Sequence, residues 1–456
     1  MASHSPSAPT NVDTLVIGGG IGGLSAARVL VGKKPDAHIV LLEKEPELGQ
    51  GTSRADHNTG TGHTGAFYPP GSAKATAANE GFKWLRQYHD EKGMEPREVG
   101  KIIAASQPGD SALLQKYQKQ ALANGQKVAS ILSGDELREK YEPLLSRNIT
   151  EGLWLPEAYL FDANGVIQAM AGDIRSLGGE IKTKHKFLGV RAIAEGWLVT
   201  TNQGEFLAKN VVNCAGTHSD RIARMAAGHL VDEDGKVEIE ISRGARDWKI
   251  MPVMGSYVEL NRVADWRTAV YEPTRNPPFL GVHVMPGVNG KPFMGPDVFF
   301  SPLRERFGQE TSEPQGLAKR IHEALDNVIG IPRSTADLTR HGAVPNLQFY
   351  LNMATKADGR AEVWKHLNLD ESFAKDVQRL VNPDKLELHR VDFSPLRSGI
   401  RAQAIDLLTG EVLQDLAKEE IINHYNPNSR FISDKMPGSP GFTASIGKGK
   451  WLTHSI

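Results

Sequence analysis

The sequence predicts an α/β protein: a Rossmann-like dinucleotide-binding domain interrupted by an inserted α+β domain built on an antiparallel sheet. Three observations carry that prediction. An apolar run, "DTLVI" at residues 13–17, leads straight into the glycine-rich "GGGIGGLSAARVL". A second apolar strand, Asn210 to Cys214, ends in the same manner on Ala215-Gly216. From about Asp232 the pattern changes to short strands between proline and glycine turns. At 456 residues the chain exceeds what one simple core organises, so two domains are expected.

Taking the elements in order, residues 1–12 read as a disordered lead, lacking the apolar core of a signal peptide and the arginines of a transit peptide. "DTLVI" reads as a parallel strand buried on both faces. Gly18, Gly20 and Gly23 then satisfy G-x-G-x-x-G. The first permits a tight turn, the second lets backbone amides approach a pyrophosphate, and the third packs helix on strand. Leu24, Ala27, Leu30 and Val31 follow at helical spacing, and the helix start offers unpaired N–H groups to phosphates. The next strand, "HIVLLEK", ends on Glu43, 20 residues after Gly23. There a carboxylate accepts hydrogen bonds from ribose hydroxyls and disfavours a 2′-phosphate.

A dehydrogenase using soluble NAD continues with further βα repeats. Here "GQGTSRADHNTGTGHTGAFYPPGS" intervenes, with neither strand nor helix period. Long irregular loops inside compact domains are usually functional. Gly60, Gly62 and Gly65 are expected to let its backbone lie close to a flat ring, which favours an extended FAD. The turn after Cys214 is similar to the one that returns to the dinucleotide in FAD proteins of the glutathione-reductase type. The predicted cofactor-binding residues are Gly18, Gly20, Gly23, Glu43, Lys44, Ser53, Arg54, Gly62, Gly65 and Gly216. Cys214 itself, among apolar or neutral strand neighbours, reads as a small core residue.

"KIIAASQPGDSALLQKYQKQALANG" reads as a strand and then a helix capped by Asp110 and stopped by Gly125. Ser133 and Glu136 form a capping box, and Pro143 closes the helix it opens. A helix over 165–176 precedes a β-meander in "GGEIKTKHKFLGVRAIAEGWLVTTNQGEFL". "PVMGSYVEL", "PPFLGVHVM" and "KPFMGPDVFF" are the strands of the second sheet, followed by helical segments near 313–327 and 360–381. "SGIRAQAIDLLTGEVLQD" reads as a hairpin returning to the first domain. The resulting boundaries are 13–90, 145–228 and 390–456 for a discontinuous FAD-binding domain, with 91–144 and 229–389 forming the substrate domain.

Composition narrows the function. With 53 basic and 54 acidic side chains the net charge is -1, which excludes the basic excess of a nucleic-acid binder. No apolar run approaches the roughly 18 residues of a membrane span. A single cysteine excludes an internal disulfide and a cysteine-built metal site, and no metal is expected. The expected setting is intracellular, foremost cytoplasmic, with peripheral membrane contact left open.

The fingerprint at 13–23, "HNTGTGHTGAFYPPGSAKA", "VVNCAGTHSDRIARMA", "PPFLGVHV" with "GKPFMGPD", and "SGIRAQAI" occur in this order over nearly the whole chain. Together they resemble the FAD-dependent D-amino-acid-oxidase-like superfamily and, within it, the L-2-hydroxyglutarate dehydrogenase/oxidase family. "NTGTGH" is similar also to malate:quinone oxidoreductases. The chain departs from the pattern at Met254, where the family carries arginine, and at Asp297, where it carries asparagine. "SPGFTASIGKGKWLTHSI" puts lysines and glycines where a helix usually continues.

The resemblance implies oxidation of a small 2-hydroxy acid to the 2-oxo acid, with loss of the hydroxyl proton and hydride transfer to flavin N5. Histidine suits the base because its ordinary pKa of about 6.5 lies near working pH. The candidates are His57, His63 and His283; His63 lies in the loop nearest the flavin and is alternatively a covalent attachment point for an otherwise non-covalent FAD. Arg401 is the first candidate for the substrate carboxylate and Arg397 the second. An amine or amino-acid oxidase, a malate:quinone-type enzyme and a flavin-binding module without turnover stay open as alternatives. The electron acceptor is oxygen, a quinone or an electron-transfer protein.

Overall fold

The structure is a computed structural model, describing residues 8–51, 58–228, 248–260, 265–274, 281–287, 292–300, 379–382, 397–406, 420–423, 428–434 and 441–456. The chain begins with β1 (Thr10–Ile17), α1 (Ile21–Lys33), β2 (Ile39–Leu42), α2 (Ala73–Lys92), β3 (Arg97–Glu98) and β4 (Lys101–Ala105). It continues through α3 (Asp110–Ala123), β5 (Ser130–Ser133), α4 (Gly134–Lys140), β6 (Glu151–Leu155), β7 (Tyr159–Leu160) and α5 (Ala163–Ser176). Next come β8 (Glu180–Lys182), β9 (Phe187–Ile193), β10 (Gly196–Thr201), β11 (Gly204–Asn213) and α6 (Ser219–Gly228). The last elements are β12 (Trp248–Glu259), β13 (Ala269–Tyr271), β14 (His283–Met285), β15 (Phe293–Phe300), β16 (Arg397–Asp406), β17 (Glu420–Asn423), β18 (Arg430–Ser433) and α7 (Gly441–Leu452).

Two eight-stranded sheets organise them. The first runs β17-β18-β11-β1-β2-β8, parallel from β18 to β8, with β9 and β10 attached to β11 as an antiparallel meander. Leu15, Val16 and Ile17 are buried on both faces of β1, as expected of a central parallel strand. On one face Val16 and Leu41 pack with Leu24, Leu30 and Val31 of α1, Met170 of α5 and Ile446 of α7. On the other, Leu15 and Val211 pack with Trp197, Ile222, Ile250 and Ala404.

The second sheet runs β16-β12-β15-β14-β13-β4-β6-β5, with every neighbouring pair antiparallel except β13–β4. Alternation of side chains along a strand gives this sheet two faces. Ile102, Ala104, Val270, Val284 and Met294 fill a core behind it. Lys101, Tyr271 and His283 occupy the alternate positions of the same strands and share the front.

Several expectations shift. Thr10–Val12, assigned to the disordered lead, pair with Phe206–Ala208. Asp110 does not cap α3: Gly109 is the N-cap, while the Asp110 carboxylate accepts from the Ser106 and Gln107 amides of the preceding turn. β8 leaves the expected meander to pair with β2. Residues 151–155 and 397–406, placed by the sequence boundaries in the first domain, pair within the second sheet as β6 and β16. There β16 lies along β12, giving the latter a partner on each side. The 441–452 segment is helical despite its glycines, because they let α7 touch its neighbours: a Cβ on Gly447 would lie 2.2 Å from the Ala77 carbonyl oxygen of α2, and one on Gly449 2.2 Å from Ser25 Oγ of α1. Lys448 is buried there against Asp434, at 2.8 and 2.9 Å. The predicted segment at 313–327 and most of that at 360–381 lie outside the described residues.

Candidate functional site

The first half of the site is the crevice at the carboxyl ends of β1, β2 and β11. Gly18 has φ +107°, and a Cβ there would lie 2.5 Å from the Cys214 carbonyl oxygen. A Cβ on Gly23 would lie 1.9 Å from the Gly18 oxygen, so both glycines are demanded by packing. Gly20 differs. It is the N-cap of α1, and among the described residues no side chain caps the helix and a Cβ on it would meet no atom within 4 Å. Unclaimed amides at a helix start beside open space fit a phosphate. Glu43 Oε2 accepts from the Gly19 amide at 2.7 Å and Oε1 from Glu45 at 2.8 Å, which leaves lone pairs for hydroxyl donors. Burial raises its pKa, against the lowering effect of those two amides. Lys44 pairs with Glu45 at 3.2 Å. Gly216 has φ +56° and also borders open space, at a turn tied together by Asn213, whose Nδ2 donates to the Ser219 carbonyl and Ser433 Oγ. Cys214 is buried and its thiol pKa is raised by that burial, in keeping with a core role. Acceptors, amides and space together suit a dinucleotide.

In the glycine-rich loop the glycines answer first to protein neighbours. A Cβ on Gly60 would lie 2.4 Å from the Phe161 carbonyl oxygen, and one on Gly62 2.4 Å from the Phe161 ring. Gly65 combines φ +73° with Asn79 Oδ1 at 2.9 Å from such a Cβ. The loop is pinned to α7: the His63 amide donates to Thr443 Oγ1 at 3.1 Å, and that hydroxyl donates to the Thr61 carbonyl at 3.2 Å. Ser53, Arg54 and His57 lie outside the described residues.

The second half of the site is the front of the second sheet, where His63 from the loop meets Lys101, Tyr271, His283, Tyr257 and Arg401. His283 is 4% exposed and stacks on Tyr271 at 4.3 Å. Its Nδ1 lies 3.1 Å from the Gly281 carbonyl, which can only accept, so Nδ1 carries the proton. Nε2 therefore accepts from the Tyr257 hydroxyl at 3.2 Å. Burial, and then Lys101 and Arg401, bring the His283 pKa to about 4, against the raising effect of the Gly281 bond. His63 is half-buried and held well below the usual imidazole range by burial, Lys101, His283 and Arg401. Both rings are neutral at physiological pH. Arg401 is partly buried on β16, opposite Val253 of β12. Arg397 is opposite Tyr257 in the same register.

Lys101, Tyr257 and Tyr271 belong to this cluster and escaped the sequence reading. Lys101 is 1% exposed, and burial lowers its pKa to about 8. Its Nζ lies 5.0 Å from the Tyr271 ring centre and 5.7 Å from that of Phe67. The available signal was a lysine heading the otherwise apolar "KIIAA", directly after Gly100. That glycine has φ +62°, and a Cβ on it would lie 1.9 Å from the Trp154 ring.

With this geometry in hand, comparison with known proteins gives consistent results. The family model described as FAD dependent oxidoreductase matches residues 13–353. The chain is 27% identical, over 97% of its length, to "L-2-hydroxyglutarate dehydrogenase, mitochondrial" of Caenorhabditis elegans, covering 92% of that protein. It is 32% identical to L-2-hydroxyglutarate dehydrogenase of Escherichia coli (strain K12) over 65% of this chain and 66% of that one. Its fold is similar to that of the dithionite-reduced L-α-glycerophosphate oxidase of Mycoplasma pneumoniae with FAD bound, with TM-score 0.65, 19% identity and coverage of 97% and 95%.

Proposed function

This chain belongs to the FAD-dependent oxidoreductase family, and from that premise we propose that it oxidises a small 2-hydroxy acid of the L-2-hydroxyglutarate kind to the 2-oxo acid. Gly18, Gly20, Gly23, Glu43 and Gly216 would hold the cofactor non-covalently. Bound there, FAD supplies the two-electron acceptor, with N5 as the hydride-accepting atom. The second sheet serves as the substrate layer.

The observation that carries the reading is the fixed tautomer of His283. Its single Nε2 lone pair accepts from the Tyr257 hydroxyl at the front of the sheet while Nδ1–H is held by Gly281. The pair removes the substrate hydroxyl proton: the Tyr257 oxygen takes it and hands its own proton to Nε2. Arg401 takes the carboxylate next to the reacting carbon through its planar fork. His63 closes the cluster from the loop side and, being neutral, adds no charge to it. Burial first, and then the Lys101 and Arg401 charges, make this a weak base at pKa about 4. An arriving carboxylate offsets those charges, though not the burial, and so raises the base, which couples proton removal to substrate binding.

The test is anaerobic visible spectroscopy of the purified flavoprotein. L-2-Hydroxyglutarate should bleach the oxidised flavin band. Bleaching by L-malate or by an amino acid instead would transfer the activity to those substrates. A flavin that no such compound reduces would mark a binding module without turnover. Reoxidation of the bleached protein by oxygen, a quinone or an electron-transfer protein then identifies the acceptor.

A further inference from the structure

We infer that Lys101 is a specificity-determining residue that binds a second carboxylate, so that the site selects dianionic over monoanionic 2-hydroxy acids. The inference rests on the 2-hydroxy-acid reading above and assigns a part to a side chain that reading leaves unused.

Two fully buried lysines make the comparison. Lys448 has a carboxylate: Asp434 meets it with both oxygens. Lys101 is equally buried, yet among the described residues no carboxylate or hydrogen-bond acceptor is paired with it. An ammonium is strongly hydrated, and burying it without a counter-charge is costly. A core position needing only bulk would be filled by methionine or leucine at no such cost. The fold instead secures this lysine: Gly100 takes a left-handed conformation with Trp154 against it, and Phe67 and Tyr271 flank the ammonium with ring faces that attract it without neutralising it.

Its surroundings are of one sign. His63 from the loop, His283 from β14 and Arg401 from β16 face it across the front of the sheet, with Tyr257 and Tyr271 between them. No described carboxylate is a cause of the pKa shifts of His63, Lys101 or His283. Lys101, with no described counter-charge, calls for a negative charge from the ligand. Arg401 accounts for the carboxylate beside the reacting carbon, and Lys101 for one at the far end of a short chain.

The experiment compares L-2-hydroxyglutarate with L-2-hydroxypentanoate, which has the same chain length and lacks the distal carboxylate, as reductants of the bound flavin. The wild type should favour the diacid by about 10- to 100-fold in kcat/KM, expressed in KM. Lys101→Met should lower kcat/KM for the diacid by about that factor more than for the monoacid, and Lys101→Arg should retain the preference. A second measurement needs no variant: the wild-type KM for the diacid should rise as pH increases through about 8, where Lys101 loses its proton, with the monoacid KM flat. Equal losses on both acids in Lys101→Met, or an unchanged preference, overturns the assignment, since a structural or flavin-facing lysine would affect both alike. If neither acid reduces the wild-type flavin but an amine does, the 2-hydroxy-acid reading fails first and this assignment with it.

Discussion

His283 commits its ring proton to a backbone carbonyl, and the pH behaviour of the enzyme follows from that bond. A histidine base works only when neutral, and its pKa in the free protein is about 4. Lowering pH through that value protonates Nε2 and removes the base; raising pH above it leaves the base as it was. Below the Lys101 titration near pH 8, steady-state kcat/KM should therefore stay level down to about pH 5 and fall below it. In the complex the substrate's charges offset Lys101 and Arg401, so the acid limb of kcat should lie at higher pH than that of kcat/KM. His283→Asn should reduce kcat by about 10²- to 10⁴-fold with the flavin spectrum retained; a near-normal kcat would pass the base role to His63. His283 was legible in the sequence through "LGVH". Lys101 was not, since a lone lysine heading a strand looks the same whether it snorkels to solvent or is sealed between two rings. Its burial holds the ammonium near 8 in place of 10.5, a cost to the fold of about 3 kcal/mol at neutral pH.

Among the elements, the β1–α1 turn separates packing from binding within one motif. Gly18→Ala drives a Cβ into the Cys214 carbonyl and forces an unfavourable φ, so the variant should lose thermal stability whether or not FAD is present. Gly20→Ala meets nothing among the described residues. It should melt like wild type once stripped of FAD and show a weakened affinity on titration with the cofactor. Equal effects of both substitutions would remove Gly20 from the phosphate site. This turn was readable because strand, glycines, helix and acid follow one another locally. α7 was misread for the opposite reason. Glycine in a helix interior costs about 1 kcal/mol relative to alanine, so "GFTASIGKGKWL" looks helix-poor in isolation. Its glycines are explained only by α1 and α2, whose backbones they admit. The loop glycines Gly60 and Gly62 likewise looked like a bed for a flat ring, and Phe161 proves to be what crowds them.

At the scale of the molecule, the parallel sheet was foreseeable, since each central strand announces itself by an apolar run before a glycine turn. The partners in the second sheet were not. β12 takes β16, and β4 joins β13, from segments far apart in the chain, and no local pattern encodes which strand arrives beside which. Among the described residues no helix is long and apolar enough to cross a membrane. Because FAD would bind across α1, β2 and β11, it should stabilise the fold by mass action. A hundredfold excess over Kd adds about 2.7 kcal/mol, so the melting temperature should climb with the logarithm of added FAD. A midpoint indifferent to FAD would mean that the crevice is not where it binds. The pinning of His63 to Thr443 also reaches back to the birth of the protein. Translation delivers β1, α1 and the loop early, and α7 some four hundred residues later. Until the ribosome has made that helix, neither its contacts with α1 and α2 nor the Thr443 anchor of the loop can form. That part of the pocket is thus completed only once residues 441–452 have been made.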